Sequence, residues 1–323
     1  AHTHPVLILI MLMGLNMLAD LPFSIADTFG IEAKYGFNKT TPKTFVGDFA
    51  KNLLITVLLG GPILALVIWF FSSLDHAWLW VWVSVTVIQF ALMYIWPTWI
   101  MPLFNKFESL PDRYLKQAIM DYADKEKFVL QDIYQMDGSK RSSRSNAFFT
   151  GFGKNRRVAL FDTLIEKHTV PELVGVLAHE IGHFRLKHIP RMLIANVLMM
   201  GAMFFALSLF LGQPELYAAF GVTPPAGDPL PLYAGLIFFS LLFNPLSVLL
   251  SLGINAMSRK HEFEADAFAA RTTGNAHAMI DALKKLSVDN LSNLTPHRLL
   301  VVLSYSHPPM LERIAALRKV AGG

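Results

Sequence analysis

Four apolar stretches constrain this chain of 323 residues more than any other feature of its sequence. Each contains about twenty residues, the length that an α-helix needs to cross the hydrocarbon core of a bilayer. Because lipid offers backbone groups no hydrogen-bonding partner, each stretch must satisfy its own backbone by forming a helix. The predicted spans are Leu53–Ser73, Ala77–Ile100, Met192–Gly212 and Leu232–Ile254.

The composition agrees with a multi-pass membrane protein that also has a sizeable polar part. Hydrophobic residues make up 53% of the chain and charged residues only 16%, whereas soluble domains have about 25% charged residues. The chain contains no cysteine, which excludes a disulfide framework, a thiolate metal site and a cysteine nucleophile. The excess of Lys and Arg forms no aromatic-interleaved basic stripe, so we predict no nucleic acid as a partner. In a membrane protein such an excess usually marks the cytoplasmic face, and the predicted partner is the lipid bilayer.

A fifth apolar run, Val6–Leu18, is too short to span a bilayer alone. A signal peptide is one interpretation, but no positive charge precedes the run and the chain starts at Ala. We therefore predict a truncated first helix, in a chain that begins inside a longer protein.

The charges of the loops predict the orientation in the membrane. The connector Leu74–His76 and the loop Gln213–Pro231 contain no Lys or Arg, whereas Asp20–Asn52, Asn105–Arg191 and Ser258–Gly323 carry essentially all of them. Basic residues accumulate on the cytoplasmic side of membrane proteins. The polar segments are therefore predicted to be cytoplasmic.

Four segments follow from this pattern. We predict an N-terminal membrane region at 1–104 with a partial helix and two spans, and the first half of a polar domain at 105–190. A pair of spans at 191–256 and the second half of the domain at 257–323 complete the chain.

Short extended runs follow a helical pattern at Leu110–Phe128 in the first polar segment. They lie at Leu130–Met136, Asn146–Thr150 and Arg157–Phe161. The last two flank the glycine-rich turn Gly151–Asn155, so they predict a β-hairpin.

The pentapeptide His179-Glu180-Ile181-Gly182-His183 marks the polar domain as the predicted catalytic domain. Residues four apart share a helix face, so His179 and His183 can bind one metal ion, with Glu180 placed to take a proton from the attacking water. Pro171 suits the first turn of this predicted helix. The alternative is an ordinary helix with two solvated histidines.

A catalytic zinc needs a third protein ligand. The candidates are His188, His261, Glu262, Glu264 and Asp266. His188 lies off the motif's face beside Arg185 and Lys187, and we interpret it as a membrane-interface residue.

Helical geometry puts Glu262 and Asp266 on one face and Glu264 nearly opposite. We therefore predict Glu262 as the third metal ligand. Asp266 would then accept a hydrogen bond from the second ring nitrogen of a ligand histidine. A solvated charged helix is the alternative.

With these residues in place, the chain resembles the type I CAAX prenyl endopeptidases, integral-membrane zinc metallopeptidases, over nearly its whole length. Besides the pentapeptide, the matching segments are Leu21–Ser24, Tyr35–Asn38, Pro102–Phe107, Gly138–Ser143, Ser145–Ala147, Leu160–Leu164, Ser258–Asp266 and Ser306–Pro309.

The resemblance implies one Zn²⁺ per chain, held by His179, His183 and Glu262, with Glu180 as the general base. It also implies that Asn146 and His307 contact the backbone or oxyanion of a peptide or protein substrate, prenylated or membrane-associated. Arg313 resembles the family's arginine near the site.

Only a short connection, Glu166–Val170, separates the predicted hairpin region from the metal-binding helix. The resemblance implies an insert at this place in eukaryotic members of the family, and its absence favours a bacterial-type homologue in an inner membrane. Bacteria generally lack farnesylated CAAX proteins, which leaves the native substrate open.

The predicted fold is mainly α: a polytopic helical membrane protein with a gluzincin-like zinc metallopeptidase domain that contains a small β-hairpin or sheet. One alternative function is a membrane-protein quality-control metallopeptidase without prenyl specificity. A second is a non-enzymatic membrane protein with a structural zinc site.

Overall fold

The computed structural model describes residues 3–150, 157–224 and 228–322. The α-helices are α1 Thr3–Ile25, α2 Pro42–Ile55, α3 Gly61–Ser73, α4 Ala77–Ile95, α5 Arg113–Lys125, α6 Asp162–Lys167, α7 Val170–Arg185, α8 His188–Leu211, α9 Pro214–Ala219, α10 Leu232–Thr273, α11 Ala276–Asp289, α12 Arg298–Ser304 and α13 Met310–Ala321. Short π-helical turns are Ala26–Glu32, Thr56–Gly60 and Trp96–Ile100, and 3-10 turns are Met101–Leu103 and Gly138–Lys140. The strands are β1 Phe107–Ser109, β2 Asp132–Met136, β3 Ala147–Thr150 and β4 Arg157–Phe161.

Within the described ranges, five helical segments are long and apolar enough to cross a membrane. The four predicted spans are confirmed as helical: three lie inside longer segments, and the third begins earlier than predicted but ends at Leu211, one residue before its predicted end. The five segments are Pro5–Glu32, Pro42–Ser73, Ala77–Leu103, His188–Leu211 and Leu232–Thr273.

The prediction that the first apolar run is too short to span is wrong. Helix α1 continues past Leu18 to Ile25, and the candidate span extends to Glu32. The polar side chains that interrupt the apolar run need not end the helix, because Asn16 Nδ2 donates to Asp20 Oδ2 one turn later, at 3.3 Å.

The last span also extends further than its apolar pattern. The predicted end at Ile254 is the end of the apolar stretch, but α10 continues as one helix of 42 residues to Thr273. It stops before Gly274, whose φ of +66° suits a glycine after a helix C-terminus. One uninterrupted helix therefore contains both a candidate membrane span and the segment with Glu262 and Asp266.

The chain divides into two compact units, of which the first comprises Ala1–Glu32, Thr41–Leu92 and Ile194–Leu250. Its helices pack through large apolar side chains, and Trp82 Nε1 donates to the carbonyl of Val197 at 2.8 Å. The central buried residues are Val67, Val81, Phe204, Leu207 and Phe239.

The second unit comprises Ala33–Thr40, Met93–Leu193 and Ser251–Gly323. It contains a four-stranded sheet in the order β1-β2-β4-β3, in which β2 and β4 are parallel and the two other pairs antiparallel. The predicted pairing of the hairpin strands β3 and β4 is confirmed, while the predicted turn 151–155 lies outside the described residues. Strand β1 was not predicted, since three residues carry too little periodicity.

Helices α5 and α7 cover the sheet and share its core. Their apolar residues recur at helical spacing, so each helix presents one continuous face to the strands. The residues of this core with almost no exposure include Leu115, Ile119, Ile133, Leu160, Leu173, Leu177 and Ile181. The four-segment domain division predicted from the sequence remains a prediction.

Candidate metal centre

Helix α7 presents the pentapeptide, and local signals fix where this helix begins. Thr169 is the N-cap, and Pro171 lies in the first turn, where its missing N–H costs nothing. Glu172 Oε2 accepts from the Thr169 N–H at 2.9 Å and from Lys285 Nζ on α11 at 2.7 Å. The helix therefore starts early enough for His179 and His183 to lie on complete turns.

Helix α10 approaches α7 closely at Gly182. A Cβ added to Gly182 would lie 3.2 Å from Cα of Ala265 and 3.2 Å from Cδ1 of Phe268. Both Ala265 and Ala269 are fully buried, so small residues on both helices allow this approach. The close packing brings Glu262 to the two histidines of α7.

The three predicted ligands have the spacing that a tetrahedral ion requires. His179 Nε2 lies 3.1 Å from His183 Nε2, which lies 3.2 Å from Glu262 Oε1, and Glu262 Oε2 lies 3.5 Å from His179 Nε2. Ligand bonds of about 2.0–2.2 Å in tetrahedral geometry separate the ligand atoms by about 3.3 Å. The structure thus brings together three donors that fit one small cation.

Asp266 holds the first of these histidines from behind. Its Oδ1 lies 2.8 Å from His179 Nδ1, the ring nitrogen that does not face Glu262. Arg313 clamps the same carboxylate through Nε and Nη2, at 2.7 and 2.6 Å, and its Nη1 lies 3.1 Å from Glu262 Oε2. The predicted position of Asp266 behind a ligand histidine is therefore observed, and Arg313 contacts both carboxylates.

This buried cluster has a surplus of negative charge. With neutral histidines, the carboxylates of Glu262 and Asp266 outnumber the single guanidinium of Arg313, and all three side chains are no more than 9% exposed. Burial alone would lower the pKa of His179, but its hydrogen bonds to Asp266 and Glu262 outweigh burial and raise that pKa to about 9. The site therefore attracts a positive charge, either a proton or a metal ion.

Glu180 follows His179 on α7, and its side chain is partly buried beside the ligands. Burial raises the pKa of the Glu180 carboxyl, and the neighbouring His179 opposes this shift. A carboxyl with a raised pKa is suited both to accept and to return a proton near neutral pH.

His307 lies at the exposed edge of the same site. Its side chain is 64% exposed, and its Nε2 lies 3.5 Å from Glu262 Oε1. The preceding helix α12 is tied to α10 by Arg259, whose Nη1 donates to the carbonyls of Val301 and Tyr305 at 3.1 and 2.6 Å. Arg259 thus holds the segment that leads to His307, a role that its sequence position did not reveal.

Asn146 lies directly before β3, which forms one edge of the sheet among the described strands. Its side chain is exposed, and its Oδ1 accepts from the N–H of Ala147 at 2.9 Å. Its backbone carbonyl accepts from the N–H of Phe161 on β4 at 3.0 Å. The predicted contacts of Asn146 and His307 with substrate, and the catalytic role of Arg313, remain predictions.

Three further residues, His188, His261 and Glu264, were candidates for the third ligand from the sequence, and they form a separate group beside the predicted ligands. His188 begins the candidate span His188–Leu211, so its interpretation as a membrane-interface residue stays a prediction, but its side chain is 2% exposed and its Nδ1 lies 3.1 Å from His183 Nδ1. Glu264 Oε2 lies 2.9 Å from His188 Nε2, and the His261 ring stacks on the His188 ring at 4.0 Å. Helix α7 ends at Arg185 and Lys187 has φ +59°, so the helix is interrupted before His188, whose ring contacts His183.

The fold and this site together define a membrane metallopeptidase. Residues 109–321 match the model of peptidase family M48, and residues 1–106 match the model described as "CAAX prenyl protease N-terminal, five membrane helices". The chain belongs to peptidase family M48.

Similar proteins support this assignment. The CAAX prenyl protease 1 homolog of Arabidopsis thaliana is 39% identical, over 94% of this chain and 71% of the relative. CAAX prenyl protease 1 of Saccharomyces cerevisiae is 37% identical, over 96% of this chain and 71% of the relative. The crystal structure of S. mikatae Ste24p superposes with a TM-score of 0.88 at 36% identity, covering 95% of this chain and 74% of that one.

The chain is therefore a multi-pass membrane protein and a peptide-bond hydrolase with a metal cofactor. The alternative of a non-enzymatic membrane protein is wrong, and the resemblance to the CAAX prenyl endopeptidases is confirmed. The relatives named here are eukaryotic, so they lend no support to the predicted bacterial source.

Proposed function

We propose that the chain is a zinc-dependent endopeptidase that trims C-terminal tripeptides from prenylated proteins on the cytoplasmic face of a membrane. The observation that carries the proposal is the trio His179, His183 and Glu262, with donor atoms 3.1–3.5 Å apart and Glu180 on the same helix. Two imidazoles and one carboxylate are a ligand set of catalytic zinc, and they leave a fourth position open. Zinc, when bound, would polarise the scissile carbonyl and lower the pKa of a water molecule.

Glu180 performs the proton transfers. Its carboxylate accepts the proton of the attacking water and then passes it to the leaving amine, so the residue ends the cycle in its starting state. The raised pKa of Glu180, caused by burial, brings its proton affinity closer to the working pH.

The open edge of the sheet receives the substrate. An extended peptide adds to β3 as a further strand, and its backbone hydrogen bonds set the register of the scissile bond. Asn146, at the start of β3, contacts the peptide backbone. His307, exposed beside Glu262, donates to the oxygen that gains negative charge during attack.

The relatives' names support the prenylated substrate, because the two relatives described above are named CAAX prenyl protease 1 and CAAX prenyl protease 1 homolog. The alternative of a quality-control peptidase without prenyl specificity makes a different prediction. The proposed enzyme cleaves a farnesylated CAAX peptide and leaves the same peptide without its prenyl group largely uncut. Equal cleavage of the plain peptide and of an unfolded membrane protein would favour the alternative.

The cytoplasmic orientation rests on the distribution of charge along the chain. The connectors between spans that lack Lys and Arg alternate with segments that carry them, as the positive-inside rule requires. Accessibility of a cysteine introduced at exposed Glu166 in sealed vesicles would test this orientation.

The mechanism is tested by Glu180→Gln in the purified protein. We expect one zinc per chain with near-normal affinity, and a turnover that falls by about 10²-fold or more because the base is lost. Glu166→Gln, an exposed glutamate on α6, is the matched control and should cleave normally. Full activity of Glu180→Gln would overturn the mechanism, and the absence of bound zinc in the wild type would overturn the metal assignment.

A further inference from the structure

Resting on the proposed zinc site, we propose that His188 and Glu264 form a hydrogen-bonded relay that fixes the tautomer and ring orientation of the ligand His183. The relay runs outward from the metal position, first to the His188 ring and then to the Glu264 carboxylate. His188 and Glu264 are positioning residues, since they act through His183.

The direction of each hydrogen bond follows from the donor atoms. His183 presents Nε2 to Glu262 and to His179, so a neutral His183 that binds metal through Nε2 must carry its proton on Nδ1. That proton points to His188 Nδ1 at 3.1 Å, which must then be an acceptor. The proton of a neutral His188 therefore resides on Nε2, where it meets Glu264 Oε2 at 2.9 Å.

The other ligand histidine, His179, also has a partner at its second ring nitrogen, but that partner is a carboxylate. His179 has Asp266 at its second nitrogen, and a ligand histidine in a metal site usually has such a carboxylate, carbonyl or water partner. At the second nitrogen of His183 lies the His188 ring instead, and it carries the connection outward to Glu264. Both ligands of α7 thus end on an acidic side chain of α10, one directly and one through an imidazole.

His188, His261 and Glu264 could instead hold a second metal ion, because their donor atoms lie within 4.8 Å of one another. The ring geometry speaks against this. The His188 and His261 rings are stacked 4.0 Å apart with only 7° between their planes. An imidazole lone pair lies in its ring plane, so nearly parallel, separated planes cannot converge on one ion without a ring rotation.

Two substitutions at His188 separate the relay from simple packing. Asn offers an amide oxygen near the position of Nδ1 but leaves a void, whereas Phe fills the space and stacks on His261 but accepts no hydrogen bond. The relay predicts that His188→Phe weakens zinc binding by about 10–100-fold and that His188→Asn retains most of the affinity. A packing role predicts the opposite order.

The experiment measures zinc dissociation constants by chelator competition on the 323-residue chain in lipid nanodiscs, with thermal unfolding of the metal-free protein alongside. We expect the unfolding temperature to follow packing, with Phe above Asn, while zinc affinity follows the acceptor, with Asn above Phe. The exposed His277→Phe is the control and should match the wild type. Equal losses in both His188 variants, or a tight-binding Phe variant, would overturn the relay.

A second pair keeps the test decisive if a His188 variant does not fold. Glu264 is 36% exposed, so its substitution disturbs little packing. Glu264→Gln keeps an acceptor for His188 and should bind zinc more tightly than Glu264→Met; equal affinities would overturn the relay. A second zinc per chain that His261→Phe removes would likewise overturn it, in favour of a metal site. Failure of the proposed function itself would show separately, as a wild type without zinc or cleavage.

Discussion

The two ligand histidines lie four residues apart on one helix, yet their surroundings differ in charge and in exposure. His179 contacts Asp266, which is 1% exposed and clamped by the buried Arg313. His183 contacts the His188 ring, and the charge behind that ring, on Glu264, is 36% exposed. One ligand is therefore supported by a buried ion pair and the other by a neutral ring that ends near solvent.

The difference separates two tasks of a supporting residue. A buried carboxylate both orients a histidine and raises its affinity for a proton, because a low dielectric strengthens the attraction. A neutral acceptor orients the ring without adding charge at the site. We therefore expect substitutions behind His179 to change stability, proton affinity and zinc affinity together, and substitutions behind His183 to act mainly on zinc affinity.

The largest effect is expected for Asp266→Asn, which removes the charge behind His179 while keeping the shape of the side chain. Arg313 then keeps its ion pair with Glu262 but loses the one with Asp266, and breaking a buried ion pair on one side costs about 3 kcal/mol. Zinc affinity should fall by about 100-fold, at the upper end for a partner of a ligand histidine. Chemical unfolding and chelator competition on the same preparation measure both quantities.

Asp281→Asn on α11 is the matched control. Asp281 is 53% exposed and pairs with Lys284 at 2.8 Å, so its loss should cost at most about 0.5 kcal/mol. If Asp266→Asn lost as little stability as this control, the buried ion pair would not be what supports His179.

The pH dependence of zinc binding tests the same contrast through protons. The pKa of His179 is raised to about 9, so its protonated ring stabilises the metal-free fold. This stabilisation is fully present below the ordinary histidine pKa of about 6.5. It is lost as pH rises through about 9. Zinc must displace that proton, so affinity should fall by about tenfold per pH unit below 9. Calorimetry in buffers of different ionisation enthalpy counts the released proton.

Asp266→Asn should flatten this dependence, because the hydrogen bond that raises the pKa of His179 loses its charge. His188→Asn should leave the dependence unchanged, since its partner His183 faces no buried carboxylate at Nδ1. A zinc affinity that stays constant between pH 6.5 and 9 in the wild type would contradict the comparison.

The sequence predicted the parts of the site that depend on one helix at a time. The spacing of His179 and His183, and of Glu262 and Asp266, follows from helical periodicity, and Pro171 predicts the first turn of α7. The resemblance to a family supplied Asn146, His307 and Arg313, which no local pattern would have connected to the ligands.

The contacts of His188 depend instead on the interruption between α7 and α8. On a continuous helix, His188 would lie off the face of His183, as the sequence suggested. The left-handed Lys187 and the restart of the chain as α8 reverse this placement. Likewise, Glu264 faces away from Glu262 around α10, but there it meets a residue of another helix. Periodicity describes one helix and says little about its neighbours.

The smallest effect is expected for Gly182→Ala, which tests whether both histidines depend on the same helix contact. Alanine gains up to about 1 kcal/mol of helix propensity over glycine, but its Cβ would lie 3.2 Å from Cα of Ala265 and 3.2 Å from Phe268. Helix α10 would have to move by a few tenths of an ångström, which shifts Glu262 relative to His179 and His183 together. We expect a loss of zinc affinity of a few fold and little change in stability.

Gly175→Ala provides the control on the same helix, because its Cβ would lie 3.6 Å from the backbone of Met279, an ordinary contact. It should gain stability through helix propensity and keep its zinc affinity. Because both histidines share the helix contact at Gly182, Gly182→Ala should leave the number of protons released on zinc binding unchanged. Asp266→Asn, in contrast, should change that number. If Gly182→Ala altered proton release as well, the two histidines would not be supported independently, and the contrast between their surroundings would have no functional consequence.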